Sequence, residues 1–347
     1  MSYQTFKDGF KSWAGTDFGS AVRLESAMIY DKVLYVDAKR GSDAASGRDW
    51  NHALLTINGA QAKLYGGDDS STNYPGDARA RGAFAVVYRG FLTGGNAAAT
   101  QQIITVSGTH LIGAGKWMGA GAQYESCFVV NGNNLTANTN LTGIAKTYAG
   151  LIVEADNVVI DGLMFYVSDT TNNPYLLAIS DYETHSGSSG HANSGRGCGV
   201  FNCHFQGNDN TQNSNAVYGL GLSGAEANAI VGNHFRYFTQ GITIGGGPNR
   251  YADCNFLGHN VIDGCATGIK GYNASVAQNT IEKAVVTQKS QYGFTWSEGI
   301  DLTTGAGYHC VDCRVGHGTK GSAYVPGTGN FFNGCTYSAA TAFYDGS

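Results

Sequence analysis

The stretch HCVDCRVGH, residues 309–317, holds two thiols three residues apart with a histidine at either end. Zinc takes such ligands at short spacings, and dithiol enzymes use the same Cys-x-x-Cys step for exchange chemistry. Two richer sets of polar residues lie in Gly- and Ser-rich runs. The first is SDYETHSGSSGHANSGRG, residues 180–197, with Asp181, Glu183, His185, His191 and Arg196, and further along come Glu226, Tyr251 and Asp253. Glycoside hydrolases set a pair of carboxyl groups across the bond they cleave, one as acid and one as base or nucleophile. The second is TQKSQYGFTWSEG, residues 287–299. There Tyr292, Phe294 and Trp296 offer ring faces to a sugar, with Glu298 as an acceptor for its hydroxyls. A uronate lyase needs a base and a means of neutralising the uronate, and no cluster of acidic residues with Arg supplies a calcium-assisted site. GAGKWMGAG, residues 113–121, lacks the spacing and the Ser/Thr of a phosphate loop.

Composition limits what can position these residues. The chain has 347 residues with 51 Gly, 4 Pro and 14% charged residues, against an ordinary 42% hydrophobic. Such a chain is read as many short strands joined by Gly, Asn, Ser and Thr corners. Net charge is −5 and the pI about 6.0. With no Lys/Arg cluster, nucleic acid and anionic membrane are excluded as partners. MSYQTFKDGF has no apolar signal-peptide core and no run of 18 apolar residues follows. The expectation is a soluble protein made in a cytoplasm, with its eight Cys as free thiols.

A repeated pattern, apolar-x-x-(Asn or Cys)-x-apolar, runs through the second half. It occurs as Val200–Phe205, Ile230–Phe235, Leu257–Ile262, Val276–Ile281, Cys310–Val315 and Phe332–Tyr337, with Ile160–Phe165 as an earlier copy carrying Leu163 at the fourth place. Between these rungs falls a second motif of period two: Leu177-Ala-Ile179, Leu220-Gly-Leu222, Ile242-Thr-Ile244 and Ile300-Asp-Leu302, with Gly268-Ile269-Lys270 as a weaker copy. Each repeat therefore has at least two short strands that bury one face, and neither can bury it without a neighbour, so repeats must stack. Long insertions emerge at two flanks, 180–199 and 282–299. HCVDCRVGH is one rung of this series. Cys310 and Cys313 are expected to point inward as small hydrophobes, with His309 and His317 at corners and no metal required. Lys270 and Asp301 fall at equivalent outward positions on successive repeats and are expected to pair. His204 and His234 follow the fourth place on neighbouring repeats and are expected to stack outward.

Rungs such as AIVGNHF and SVAQNTI resemble those of the pectate-lyase-like superfamily, which includes phage tailspikes and other phage β-helix proteins. The resemblance runs over roughly residues 33–340. It implies an all-β, single-stranded right-handed parallel β-helix with stacked internal Asn. LYVDAKRGSDAASGRDWNHALLTINGAQAKL, residues 34–64, resembles the opening of such proteins, with a first strand, a Gly-Ser-Asp turn and a short capping helix starting near Thr56 or Asn58. The expected organisation is an N-terminal arm over 1–32, first strand and cap over 33–64, coils over 65–337 and an end cover over 338–347. The arm holds Phe6, Phe10 and Trp13 at helical spacing, as a second cap or an anchor for other virion proteins. The scaffold serves lyases, hydrolases and inert fibres alike.

The reading favoured on these grounds is a structural or adhesive phage virion protein: a tailspike, fibre or capsid-surface decoration contacting host glycans. It places the protein on the virion surface, without cofactor or metal, and by resemblance as a homotrimer. A polysaccharide depolymerase using Asp181, Glu183, Glu226 and Asp253 is the first alternative. A passive glycan-binding module using Tyr251, Tyr292, Phe294, Trp296 and Glu298 is the second.

Overall fold

The computed structural model describes residues 30–64, 83–90, 101–115, 126–141, 143–180, 195–207, 217–246, 252–272, 276–287, 298–304, 306–317, 322–325 and 329–339. Short apolar runs give strands that return in register to the strand one coil earlier. Val159–Asp161, Met164–Asp169 and Tyr175–Ser180 make three sides of one coil, and Gly199–Phe201 then lies parallel to Val159–Asp161. Repetition of that circuit builds three parallel sheets, the first of ten strands and the second and third of eight each. The architecture is a right-handed parallel β-helix, and among the described residues its one α-helix is Ile57–Leu64. Among the described residues no helix is long and apolar enough to cross a membrane.

Sharp corners make the circuit possible. Between the first and second sheets one residue per coil takes a left-handed backbone: Gly162, Asn202, Gly232, His259, Lys283, Asp312 and Gly334, with φ from 49° to 68°. The residue after it points inward, giving the column Leu163, Cys203, Asn233, Asn260, Ala284, Cys313 and Cys335. Asn233 shows what the column does. Its Oδ1 accepts the Cys203 backbone N–H at 2.9 Å and its Nδ2 donates to the Val200 carbonyl at 2.9 Å. Cysteines imitate the donor half: the thiols of Cys203, Cys313 and Cys335 donate to the carbonyls of Ile160, Ile281 and Cys310 one coil back.

A second column, unforeseen in the sequence, lines the corner from the third sheet to the first. Asn228, Asn255 and Asn279 each accept the backbone N–H of the preceding member, from Cys198 onward, at 2.8–3.0 Å. This corrects one rung. Ile281, not Val276, is the partner of Leu257 and Cys310, so the true rung is Ile281–Val286 and Asn279 belongs to the second column. Cys310 and Cys313 do point inward, each 0% exposed. His309 is no corner residue: it lies within the strand Ala306–Val311, exposed, its ring 5.1 Å from Phe331. His317 ends the strand Arg314–His317.

Packing inside is equally periodic. Phe128, Phe165, Phe205 and Phe235 stack along the second sheet with ring centroids 5.6, 4.8 and 4.5 Å apart. In the third sheet a glycine column brings coils close. A Cβ on Gly219, Gly241 or Gly268 would lie 2.3, 2.8 or 2.5 Å from the carbonyl oxygen of the next glycine, ending at Gly299. At the N-terminal end Thr56 caps the helix by accepting the Gly59 N–H at 2.8 Å. The helix then covers an open strand edge with its own amides. Asn58 Oδ1 accepts from Ile103, and Gln61 Oε1 accepts from Thr105 and Val106, at 2.8–3.1 Å. Of the arm expected over 1–32, Lys32 already opens the first strand and residues 1–29 lie outside the described set. The last strand is Thr336–Ala339.

His204 and His234 neighbour each other on the outer face of the second sheet, centroids 4.9 Å apart, but meet edge to face at 66° where stacking was expected. Burial first, then the neighbouring His234 charge, push the His204 imidazole down to about 4; a bond from Gln206 opposes them and the Arg236 charge adds a little. Burial also lowers His234, with Arg236 adding and Asp263 opposing.

Two stability predictions follow from these columns. Asn255→Leu strands the Asn228 N–H and the Ala225 carbonyl and is expected to cost roughly 2–4 kcal/mol in urea unfolding. Asn202→Gly, at an exposed left-handed corner, is expected to change stability by less than about 1 kcal/mol. For His204 the folded pKa lies below the unfolded 6.5, so the folded chain prefers the neutral ring. Stability is therefore present above pH 6.5 and falls as pH drops toward 4, by on the order of 3 kcal/mol in total. Urea midpoints of wild type should decline over that window, and His204→Gln should flatten the decline.

Candidate functional site

Two of the carboxylates singled out in the sequence, Glu226 and Asp253, are brought together at the corner from the third sheet to the first. Each coil there has a left-handed residue: Asn157, Gly197, Ala227 and Cys254, with φ of 55°, 64°, 56° and 55°. The residue before it stacks along the axis, giving the column Asp156, Arg196, Glu226 and Asp253. Backbone bonds fix the stack. The Asn157, Gly197 and Ala227 N–H groups donate to the carbonyls of Arg196, Glu226 and Asp253 at 2.8, 3.2 and 3.0 Å. Successive coils lie about 4.8 Å apart.

The charges alternate in part along this column. Asp156 accepts the Arg196 backbone N–H at 3.1 Å, and the Arg196 guanidinium meets Glu226 at 2.9 Å. With half of Arg196 and a third of Glu226 exposed, that pair contributes little to stability. It does tie this carboxylate to a cation within its own column. Asp253 differs, because its Oδ1 is buried with no hydrogen-bond partner. Cys254 beside it is exposed, and its thiol is raised by partial desolvation and by the Asp253 and Glu226 charges. That thiol is held back from reaction.

The outer face of the third sheet carries a second polar set. Lys270 and Asp301 occupy facing positions and pair directly, with the carboxylate side chain 5% exposed. Burial pushes the Asp301 carboxyl up, but bonds from Lys270 and Thr303 and the Lys270 charge outweigh it and hold it below the usual range. Beside them Gln240 donates to the Tyr272 hydroxyl at 2.8 Å and accepts from Thr243 at 3.0 Å. Earlier coils of this face are roofed over. Ser180 and Ser223 hydroxyls donate to the Asn140 carbonyl and Ala145 N–H to the Tyr175 hydroxyl. Leu141 packs there with Ile152, Tyr175, Ala178 and Tyr218.

The outer face of the first sheet bears half-buried aromatic rings. Phe201 folds back over Gly199 and Phe256 over Gly258, so closely that a Cβ on either glycine would fall 2.2 or 2.6 Å from the ring. The two residues stand two strands apart and two residues out of register, so their backbones are more than about 10 Å apart. Ring faces set on a rigid sheet are the chemistry a sugar face stacks on.

Asp181, Glu183, Tyr251, Tyr292, Phe294 and Trp296 lie outside the described residues, and Glu298 is described only as the backbone start of the strand Glu298–Asp301. Sequence reasoning listed Arg196 in its loop without its partner. It missed Asp156, Phe201 and Phe256, which become visible only once the coil phase is known. Among the described residues no group of three His, Cys, Asp or Glu is placed to hold a metal ion.

No family model matches the chain, and no curated protein matches it in sequence. Among solved structures it is similar to pectate lyase Pel9A, at 12% identity over 89% of this chain and 71% of that one, with a TM-score of 0.45. It is also similar to the GH136 lacto-N-biosidase from Eubacterium ramulus, at 12% identity over 96% of this chain and 74% of that one, with a TM-score of 0.35.

Proposed function

We propose that this chain is a structural, adhesive component of a phage virion surface that contacts host glycans without cleaving them. One observation carries the non-catalytic part. Glu226, the carboxylate best placed among the described residues to act with Asp253, is bound to Arg196 within a single corner column. A hydrolase instead needs two carboxyl groups aimed at one bond, one of them kept protonated. The glycan part is supported by the Phe201 and Phe256 rings seated on glycines, and the virion part by the resemblance of the rungs. A homotrimer on the virion surface, joined to other virion proteins through residues 1–32, belongs to the same proposal.

Asp253 supports the second reading, a polysaccharide depolymerase, because its Oδ1 has no hydrogen-bond partner among the described residues and it stands one coil from Glu226. The two readings separate in one experiment. Purified full-length protein is incubated with capsule, alginate-like and neutral polysaccharides, and reducing ends and unsaturated uronates are measured. No release is expected, while Phe201→Ala with Phe256→Ala should weaken retention on host glycan by about tenfold, as lost aromatic contacts of about 1.4 kcal/mol would do. Oligosaccharide release that disappears in Asp253→Asn would establish the depolymerase instead. Absence of the chain from the proteins of purified virions by mass spectrometry would end the virion reading.

A further inference from the structure

We propose that Cys313 and Cys335 are a paired-thiol oxidation site, which closes as a disulfide and staples the last coil to the coil before it. The inference is independent of the proposed function. Both residues hold the same inward place on adjacent coils, between the registered pairs Val311↔Asn333 and Arg314↔Thr336. The Thr336 N–H donates to the Cys313 carbonyl at 2.8 Å, which fixes the register at the pair itself. Neighbouring parallel strands lie about 4.8 Å apart, inside the Cα separation of about 4.4–6.8 Å that disulfides use. Both thiols lie along this column, each donating to a carbonyl one coil back.

No other described cysteine has this relation to a second one. Cys203 stands between Leu163 and Asn233, and Cys198 is followed by Asn228. Cys310 points into the core opposite Ile281 and Phe332, in another column from both members of the pair. The ladder also changes where the pair begins. Asn233 and Asn260 bond to each other through their amides at 3.1 Å, but the next members are Ala284, Cys313 and Cys335. The amide link between coils stops there, and a covalent link at 313–335 would take its place.

Access favours an ordered reaction, since Cys335 is half-buried and Cys313 buried. With a small-molecule disulfide such as oxidised glutathione as oxidant, the Cys335 thiolate attacks one sulfur, forming a mixed disulfide and expelling one glutathione thiolate. Cys313 then loses its proton to solvent and attacks Cys335 Sγ, forming the protein disulfide and expelling the second. Two protein thiols are oxidised by two electrons, and one glutathione disulfide is reduced to two thiols. Burial, above all, pushes the Cys313 thiol up to about 12, so the second step is the slow one.

The test uses the full chain, fully reduced or incubated with oxidised glutathione at mildly alkaline pH, then alkylated and peptide-mapped. A species lacking two hydrogens, with the link mapped to 313–335 and reversed by dithiothreitol, is the expected result. Its thermal midpoint should rise by roughly several degrees. Cys313→Ala should stop at the mixed disulfide on Cys335, and Cys335→Ala should give neither product. The wild-type map decides the matter even if a variant fails to fold. Oxidation that ends at the mixed disulfide in wild type, or a link mapped to 310–313, would overturn the proposal.

Discussion

Parallel coils stack only if each corner disposes of the peptide groups it turns along the axis. At five places in this chain an inward side-chain oxygen one coil further on does so. The carboxamides of Asn228, Asn233, Asn255, Asn260 and Asn279 accept backbone N–H groups or one another's amides at 2.8–3.1 Å. All five are at most 1% exposed. A buried N–H left unmet costs about as much as several well-made bonds return, so these columns set the coil register, and the stacking of phenylalanines and glycines follows from it. The left-handed corner residues are the local counterpart. Several are not glycine, and their backbone strain is tolerated because the columns on either side fix the turn.

Much of this was legible in the sequence. The alternating Leu177, Leu220, Ile242, Ile269 and Ile300 positions are the inward column of the third sheet, and Cys310 was rightly aligned with Ile230 and Leu257. The second amide column escaped because its members stand five residues before the first, as Asn228 before Asn233 and Asn255 before Asn260. Both answer to the same short pattern. Coil lengths of 24 to 30 residues between ladder members erase the phase that would separate them, and Val276–Ile281 satisfied the pattern while belonging to the other corner. Pairings across coils were hidden for the same reason. Arg196 lies 30 residues from Glu226 in sequence, and only the register makes them neighbours.

Function is carried by what faces out. The corner column of Asp156, Arg196, Glu226 and Asp253, the Lys270–Asp301 pair and the rings over Gly199 and Gly258 occupy three different surfaces of one rod. Among the described residues several of these polar groups answer one another, whereas Asp253 Oδ1 has no hydrogen-bond partner.

The hydrogen bonds joining one coil to the next run nearly parallel to the molecule's length. Tension from tip to base therefore loads a single layer at a time, and the shaft can be peeled from whichever end is least secured. A lateral load is shared by every layer at once and meets a stiff beam.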